Sequence, residues 1–274
     1  MAKLGIICGG GALPQALIEA CVAKNIPYFA VALEGQCNLS VFDGGEYITA
    51  RLGQAGKIIK TLKREGVGDL VMIGHVKRPS LKDLKPDLKT AEFFAKEGAR
   101  VLGDDGLLVA LRRFLQKEGF VLHGVQDYMP ELLTPRGTLT KVKPTKNDEN
   151  DIARGIDVIR AMGALDIGQA VVIQDGFVLG VEAAEGTDAL IKRCTDLKRK
   201  GKAPVLVKLS KPGQDGDLDL PTIGPNTIEN VIAAGFAGVA VHAGQSFMFD
   251  QSKSIDNADK AKIFITGISP ETQF

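Results

Sequence analysis

An apolar run that ends in glycines and restarts as a helix most restricts how this chain can fold. Residues 4–8 are an apolar run, Gly9, Gly10 and Gly11 follow without a break, and Pro14 heads a stretch with helical spacing over residues 14–24. Strand, tight turn and helix in that order begin a βαβ unit. Proline suits the first helical turn, where its missing N–H would have had no partner. The pattern recurs. Residues 28–33 and 70–73 are short apolar runs suited to a buried parallel sheet, and residues 56–65 between them form an amphipathic helix on Ile58, Ile59 and Leu62. Helical patterns over 90–96 and 104–117 and a strand over 120–125 complete this half. The expectation is an α/β fold whose N-terminal domain is a Rossmann-like parallel sheet, because parallel neighbours need helical crossovers.

The pattern then changes. Residues 134–150 hold two prolines and three lysines with little apolar content, which reads as a linker. The expected organisation is an N-terminal domain over 1–133, a linker over 134–146 and a second, mixed α/β domain over 147–274. Thr145 with Asp148 three residues on is a capping box, so a helix should run from there to about Met162. Strands over 170–173 and 177–183 flank Asp175-Gly176, a hairpin turn signal. A helix over 187–199, a buried strand over 205–209, a polar loop and a helix over 227–234 follow. Strands over 239–242 and 246–249, a helix over 257–262 and a strand over 263–266 close the chain.

Charge and composition exclude several functions. Thirty-four basic against 33 acidic residues leave a net charge of +1, so the chain is not a charge-driven polyanion binder, although a local basic patch stays open. Aromatic residues are 5% and tryptophan is absent, which argues against a base-stacking surface and a nucleic-acid partner. The longest uncharged apolar run, 231–241, is too short to span a bilayer, and residues 4–8 are too short for a secretion signal. Cys8, Cys21, Cys37 and Cys194 form no C-x-x-C pair, consistent with free thiols and a cytoplasmic location.

Four places can carry chemistry. The turn through Gly10, Gly11 and Leu13 either brings backbone N–H groups to a phosphate or is a structural tight turn. Pro14 stands where a dinucleotide fingerprint needs its third glycine, which counts against a nucleotide-dependent oxidoreductase. His75 and Arg78 follow a buried strand, where α/β proteins bind ligands, or else lie on a solvated basic loop. His123 reads as structural, and His242 has no partner at metal-ligand spacing. Asp215, Asp217 and Asp219 alternate, so in an extended segment they share a side and would attract a hard divalent cation or basic groups. Glu182, Glu185, Thr187 and Asp188 join a strand end to a helix start, either completing such a site or complementing the helix dipole.

Five segments together resemble a known family. They are Gly9-Gly10-Gly11-x-Leu13-Pro14, Gly74-His75-Val76-x-Arg78-Pro79 and Gly103-Asp104-Asp105-x-Leu107-Leu108, then Gly180-Val181-Glu182-Ala183-x-Glu185-Gly186-Thr187-Asp188 and Lys211-Pro212-x-Gln214-Asp215-x-x-x-Asp219-x-Pro221-Thr222. In this order they resemble the UDP-2,3-diacylglucosamine pyrophosphatases of lipid A biosynthesis, of the type unrelated to calcineurin-like phosphoesterases. Asp217 departs from the family, which commonly has Arg there.

The resemblance implies a Mg2+-dependent hydrolase that converts UDP-2,3-diacylglucosamine to UMP and lipid X, with a catalytic C-terminal domain. It implies catalytic roles for Asp219, Asp215 and Glu185, and metal contacts from Asp219, Asp215 and Asp188. It implies substrate contacts from Gly10, Gly11, Leu13, His75, Arg78, Glu182, Thr187, Lys211 and Thr222. The two acyl chains call for an apolar cavity, expected between the domains, and only peripheral contact with the inner-membrane surface. A non-catalytic nucleotide-sugar or lipid-binding protein is the competing expectation, since it would keep the pocket without needing the acidic cluster.

Overall fold

A computed structural model of the chain describes residues 3–42, 44–76, 84–98, 104–211, 216, 218 and 220–269. The chain forms two compact units, Met1–Pro130 and Glu131–Phe274. Among the described residues, no helix is long and apolar enough to cross a membrane.

In the first unit β1 (Lys3–Cys8), β2 (Tyr28–Leu33), β3 (Tyr47–Ala50), β4 (Val67–Ile73) and β5 (Val121–His123) form one sheet in the order β3-β2-β1-β4-β5, with every pairing parallel. Helices α1 (Leu13–Ala23), α2 (Ala55–Arg64), α3 (Leu88–Glu97) and α4 (Asp104–Lys117) connect or cover it. The order reverses between β1 and β4, the kind of switch point at whose carboxyl ends open α/β sheets bind ligands. Strand β3 has no counterpart in the sequence expectations. Only Ala50 of its four residues is buried, so this edge strand lacks the apolar run that marks the others.

In the second unit β6 (Gly137–Thr138), β7 (Ala170–Gln174), β8 (Phe177–Val181), β9 (Val205–Lys208), β11 (Gly238–His242) and β13 (Phe264–Ile268) form a mixed sheet in the order β6-β13-β11-β9-β7-β8. Strands β9, β11 and β13 run parallel at its centre. Strand β10 (Thr222–Ile223) pairs separately with β12 (Phe247–Met248). Residues 134–146, read as a linker, contribute β6, which hydrogen-bonds antiparallel to β13. An edge strand needs little apolar content, so its composition looked like a tether's.

Helix α5 (Lys146–Gly163) covers one face of this sheet. Thr145 and Asp148 form the expected capping box at its start. Its Ile152, Ile156 and Ile159 pack on Val171, Ile173, Val205 and Val207, each buried side chain contributing roughly 1.5–3 kcal/mol. Gly155 lets the helix approach closely, since a Cβ there would stand 2.6 Å from Val207 Cγ2. Helices α6 (Thr187–Thr195), α7 (Pro225–Ala233) and α8 (Gln251–Ala261) cover the other face through Leu190, Ile191, Ile228, Val231 and Ala258. The β7–β8 turn has φ of 48° at Asp175 and 79° at Gly176, the doubly positive geometry that favours this dipeptide.

All four cysteines are free, and Cys8, Cys21 and Cys194 are buried. Burial pushes the Cys8 thiol far above its ordinary range, with neighbouring Cys37 adding to the rise, and burial also raises Cys21 and Cys194. Ellman's reagent at neutral pH should therefore leave these three unreacted in the native protein, with only half-buried Cys37 reacting slowly. All four should titrate in denaturant. Rapid native reaction at Cys8 would contradict this packing.

Candidate active site

Two groups of residues stand at carboxyl ends of parallel strands. In the first unit, the turns after β1 and β4 knit together. Gly9 N–H donates to Ile73 O at 2.8 Å, Gly10 N–H to His75 O at 2.8 Å, and His75 N–H back to Gly10 O at 3.1 Å. There is no room for side chains between them. A Cβ on Gly10 would lie 2.7 Å from His75 Nε2 and 2.8 Å from Gln36 O, and Gly11 and Gly74 have φ of 95° and 91°. The glycines are therefore required by the close approach of two loops. That approach also lays the exposed His75 ring beside Gly10 and Gly11 at the switch point. Helix α1 begins there with no side-chain cap and no acid in its first turn, leaving its positive dipole end uncompensated. Arg78 lies outside the described residues.

In the second unit, three contacts cluster around the ends of β8, β9 and β11. The first centres on Lys208, which closes β9 and is 6% exposed. Its Nζ donates to Thr187 Oγ1 at 2.8 Å and to Thr222 O at 3.1 Å. Thr187 in turn donates to Glu182 Oε1 at 2.6 Å, and Glu182 Oε2 accepts from Gln169 N at 3.0 Å. The second contact is Lys211 Nζ on Asp166 Oδ1 at 2.5 Å, the lysine side chain being 7% exposed. The third is Ser210 Oγ, 2.5 Å from His242 Nδ1 and 3.2 Å from Gln245 Oε1.

The structure thus joins Glu182, Thr187 and Thr222, which the sequence singled out, through Lys208, which it did not. Lys208, Asp166, Ser210 and Gln245 escaped sequence reasoning. The available signal for Lys208 was a charged residue closing a buried apolar run. For Asp166 there was none, because it reaches Lys211 from 45 residues away.

The neighbouring acids are engaged elsewhere. Glu185 accepts from Arg193 Nη2 at 2.9 Å and from Ala183 N at 3.2 Å. Hydrogen bonding by its own backbone and by Arg193 holds its carboxyl below the usual carboxylate range. Asp188 Oδ1 accepts from Asn230 Nδ2 at 2.9 Å. Among the described residues, no group of three or more histidines, cysteines and acids converges as a metal site. Asp215, Asp217 and Asp219 lie outside the described residues, as do the side chains of Asp104 and Asp105. His123 Nε2 donates to Asp69 Oδ1 at 2.8 Å within the first unit.

Two family models match the chain in sequence, the LpxI N-terminal domain over residues 3–132 and the LpxI C-terminal domain over residues 135–266. The chain belongs to the LpxI family. It is 38% identical over 281 residues to the UDP-2,3-diacylglucosamine pyrophosphatase LpxI of Caulobacter vibrioides, a match that spans 99% of each chain. Among solved structures it is similar to CobK precorrin-6A reductase, with a TM-score of 0.35, 10% identity and coverage of 98% of this chain and 88% of that one. It is also similar to the biotin carboxylase subunit of pyruvate carboxylase, with a TM-score of 0.25, 11% identity and coverage of 63% and 35%. Both scores are too low to speak to fold or function. In this LpxI chain the two family domains correspond to the two glycine- and lysine-centred groups described above.

The Lys208 network yields a stability test. Thr187→Val keeps the side chain's shape but removes both the donor to buried Glu182 and the acceptor for Lys208. Urea unfolding should show a loss of roughly 1–3 kcal/mol, and Thr187→Ser should recover most of it. An unchanged midpoint in the valine variant would show that the network does not hold the site.

Proposed function

We propose that this LpxI-family protein hydrolyses the pyrophosphate of UDP-2,3-diacylglucosamine in lipid A biosynthesis, releasing UMP and lipid X. The observation that carries the reading is the 38% identity to the C. vibrioides pyrophosphatase across 99% of both chains. In the reaction a water oxygen bonds to the phosphorus beside the glucosamine. The bond from that phosphorus to the bridging oxygen breaks, and UMP leaves with the bridging oxygen. Such a displacement needs charge neutralisation and an oriented water more than covalent help.

The residues suit those tasks. In the second unit Lys211, held by Asp166, is assigned to phosphate oxygens, and in the first unit the basic pair His75 and Arg78 is assigned to anionic oxygens of the substrate. In the first unit the Gly11 N–H and the open start of α1, around Leu13, are assigned to an anionic group of the substrate, with Gly10 shaping the turn that presents them. Glu182, Thr187 and Thr222 are assigned to the substrate at the end of β9, where Lys208 holds them together. Asp219, with Asp215, is assigned to orient the water or hold Mg2+, for which carboxylate oxygens are suitable ligands. Asp188 would join them by turning from Asn230, and Glu185 by releasing Arg193. When bound, the metal supplies charge neutralisation at the phosphate oxygens. Leu165 and Ile167, exposed at 72% and 39% on either side of Asp166, offer apolar surface beside Lys211 for an acyl chain. A diacylated substrate also places the protein peripherally at the cytoplasmic face of the inner membrane.

Incubation with UDP-2,3-diacylglucosamine and Mg2+ should release UMP. EDTA should abolish the release, Mg2+ or Mn2+ should restore it, and Zn2+ should substitute poorly. Full activity in a metal-free preparation would remove the metal from this reading. Asp219→Ala should lower kcat about 10²–10³-fold with an unchanged circular dichroism spectrum. Asp217→Ala, outside the family position, should cost much less. Equal losses in the two variants would refute the assignment of Asp219.

A further inference from the structure

At the end of the second sheet away from Lys208, the structure builds a basic and apolar surface that the proposed chemistry does not use. Residues 192–202 contain Lys192, Arg193, Lys198, Arg199, Lys200 and Lys202 against the single acid Asp196, in a chain of net charge +1. Arg193 is turned to Glu185 and Val181 O, and Lys198 to Ala234 O. Arg199, Lys200 and Lys202 lie in a stretch, 196–203, that is exposed throughout, and none of the three is ion-paired among the described residues. Beside them Phe177, Val178 and Leu197 are 53%, 40% and 48% exposed. The Arg199 guanidinium lies 3.8 Å from the centre of the Phe177 ring.

This surface is held rigid from below by two buried polar side chains. Gln174, 2% exposed, donates to Arg199 O at 2.9 Å and Lys202 O at 2.7 Å, and accepts from Arg199 N at 2.8 Å. Asp151, also 2% exposed, accepts from Asp175 N at 2.9 Å and Gly176 N at 2.7 Å. Asp175 then accepts from Asn147 Nδ2 and from Lys202 N, joining the hairpin tip to the basic loop. Burying an amide and a carboxylate is costly unless they are fully bonded. Here their bonds fix the backbone from which the exposed cations project.

We propose that the β7–β8 hairpin and the 196–203 loop dock on an anionic lipid bilayer. Cations interleaved with exposed apolar side chains match a surface of anionic headgroups over hydrocarbon. A nucleic acid is less suited, because the Phe177 face that a base would stack on is covered by Arg199. The docking rests on the proposed diacylated substrate for its purpose, since such a substrate resides in a bilayer. It lies at the opposite end of the sheet from Lys208, and so leaves the Lys208 end unobstructed.

The test is flotation of the full-length protein with phosphatidylcholine vesicles, with and without phosphatidylglycerol. Alongside it, UMP release from detergent-dispersed substrate is measured. Wild type should float only with the phosphatidylglycerol vesicles, and salt should weaken this. The triple variant Arg199→Glu/Lys200→Glu/Lys202→Glu should partition about a hundredfold less. Phe177→Ser/Leu197→Ser should also partition less, and both variants should keep native thermal unfolding and wild-type UMP release. Flotation equal on both vesicle types, no flotation, or an unimpaired triple variant would overturn the proposal. So would binding of wild type to single-stranded DNA but not to vesicles. Absence of wild-type flotation with intact hydrolysis sinks the docking surface alone, whereas the expected flotation without any UMP release by wild type sinks the proposed reaction alone.

Discussion

One buried ammonium, Lys208 Nζ, organises the end of the second unit where β8, β9 and β11 close. A lysine with only 6% of its surface exposed is tolerable only when its charge is well hydrogen-bonded. Thr187 Oγ1 and Thr222 O supply that solvation, and Thr187 relays the charge to the Glu182 carboxylate. The chain of contacts continues outward. Glu182 also accepts from Gln169 N, which fixes the loop carrying Asp166, and Asp166 holds Lys211. The cation assigned to the phosphate is therefore placed by a relay that starts at a different lysine.

The first unit depends on backbone proximity rather than charge. Two parallel strands whose connections leave in opposite directions separate at their ends, and here the gap is closed by paired turns that admit only glycine. The same geometry serves either reading of the glycines. Turns close enough to bond each other spend the Gly9 and Gly10 N–H groups on that pairing and leave the uncapped start of α1 open beside them.

Polar burial in the second unit divides between two ends of one sheet. At the carboxyl ends of β9 and β11 it gathers groups suited to a phosphate. At the hairpin end, Asp151 and Gln174 spend their bonds on backbone, leaving charged and apolar tips outside. Burial raises the Asp151 carboxyl above its ordinary value even though Gly176 and Asp175 donate to it. That unfavourable placement is retained where it shapes an exposed surface.

Local pattern by itself determined much of the architecture. Continuous apolar runs marked β1, β2, β4 and β9 because strands buried on both faces must be apolar at every position. Thr145 with Asp148 and Asp175-Gly176 marked a helix start and a hairpin because caps and turns are settled within four residues. The family was legible in the spacing of five segments. What only the tertiary structure decided is whatever joins distant residues. β3 and β6 escaped because edge strands need no apolar signature. Lys208, Asp166 and Ser210 escaped because their meaning lies in partners that the folded sheet brings from 14 to 45 residues away. Hydrogen bonds act over a few ångströms of space, and sequence spacing encodes that distance only within a helix turn, a hairpin or a strand.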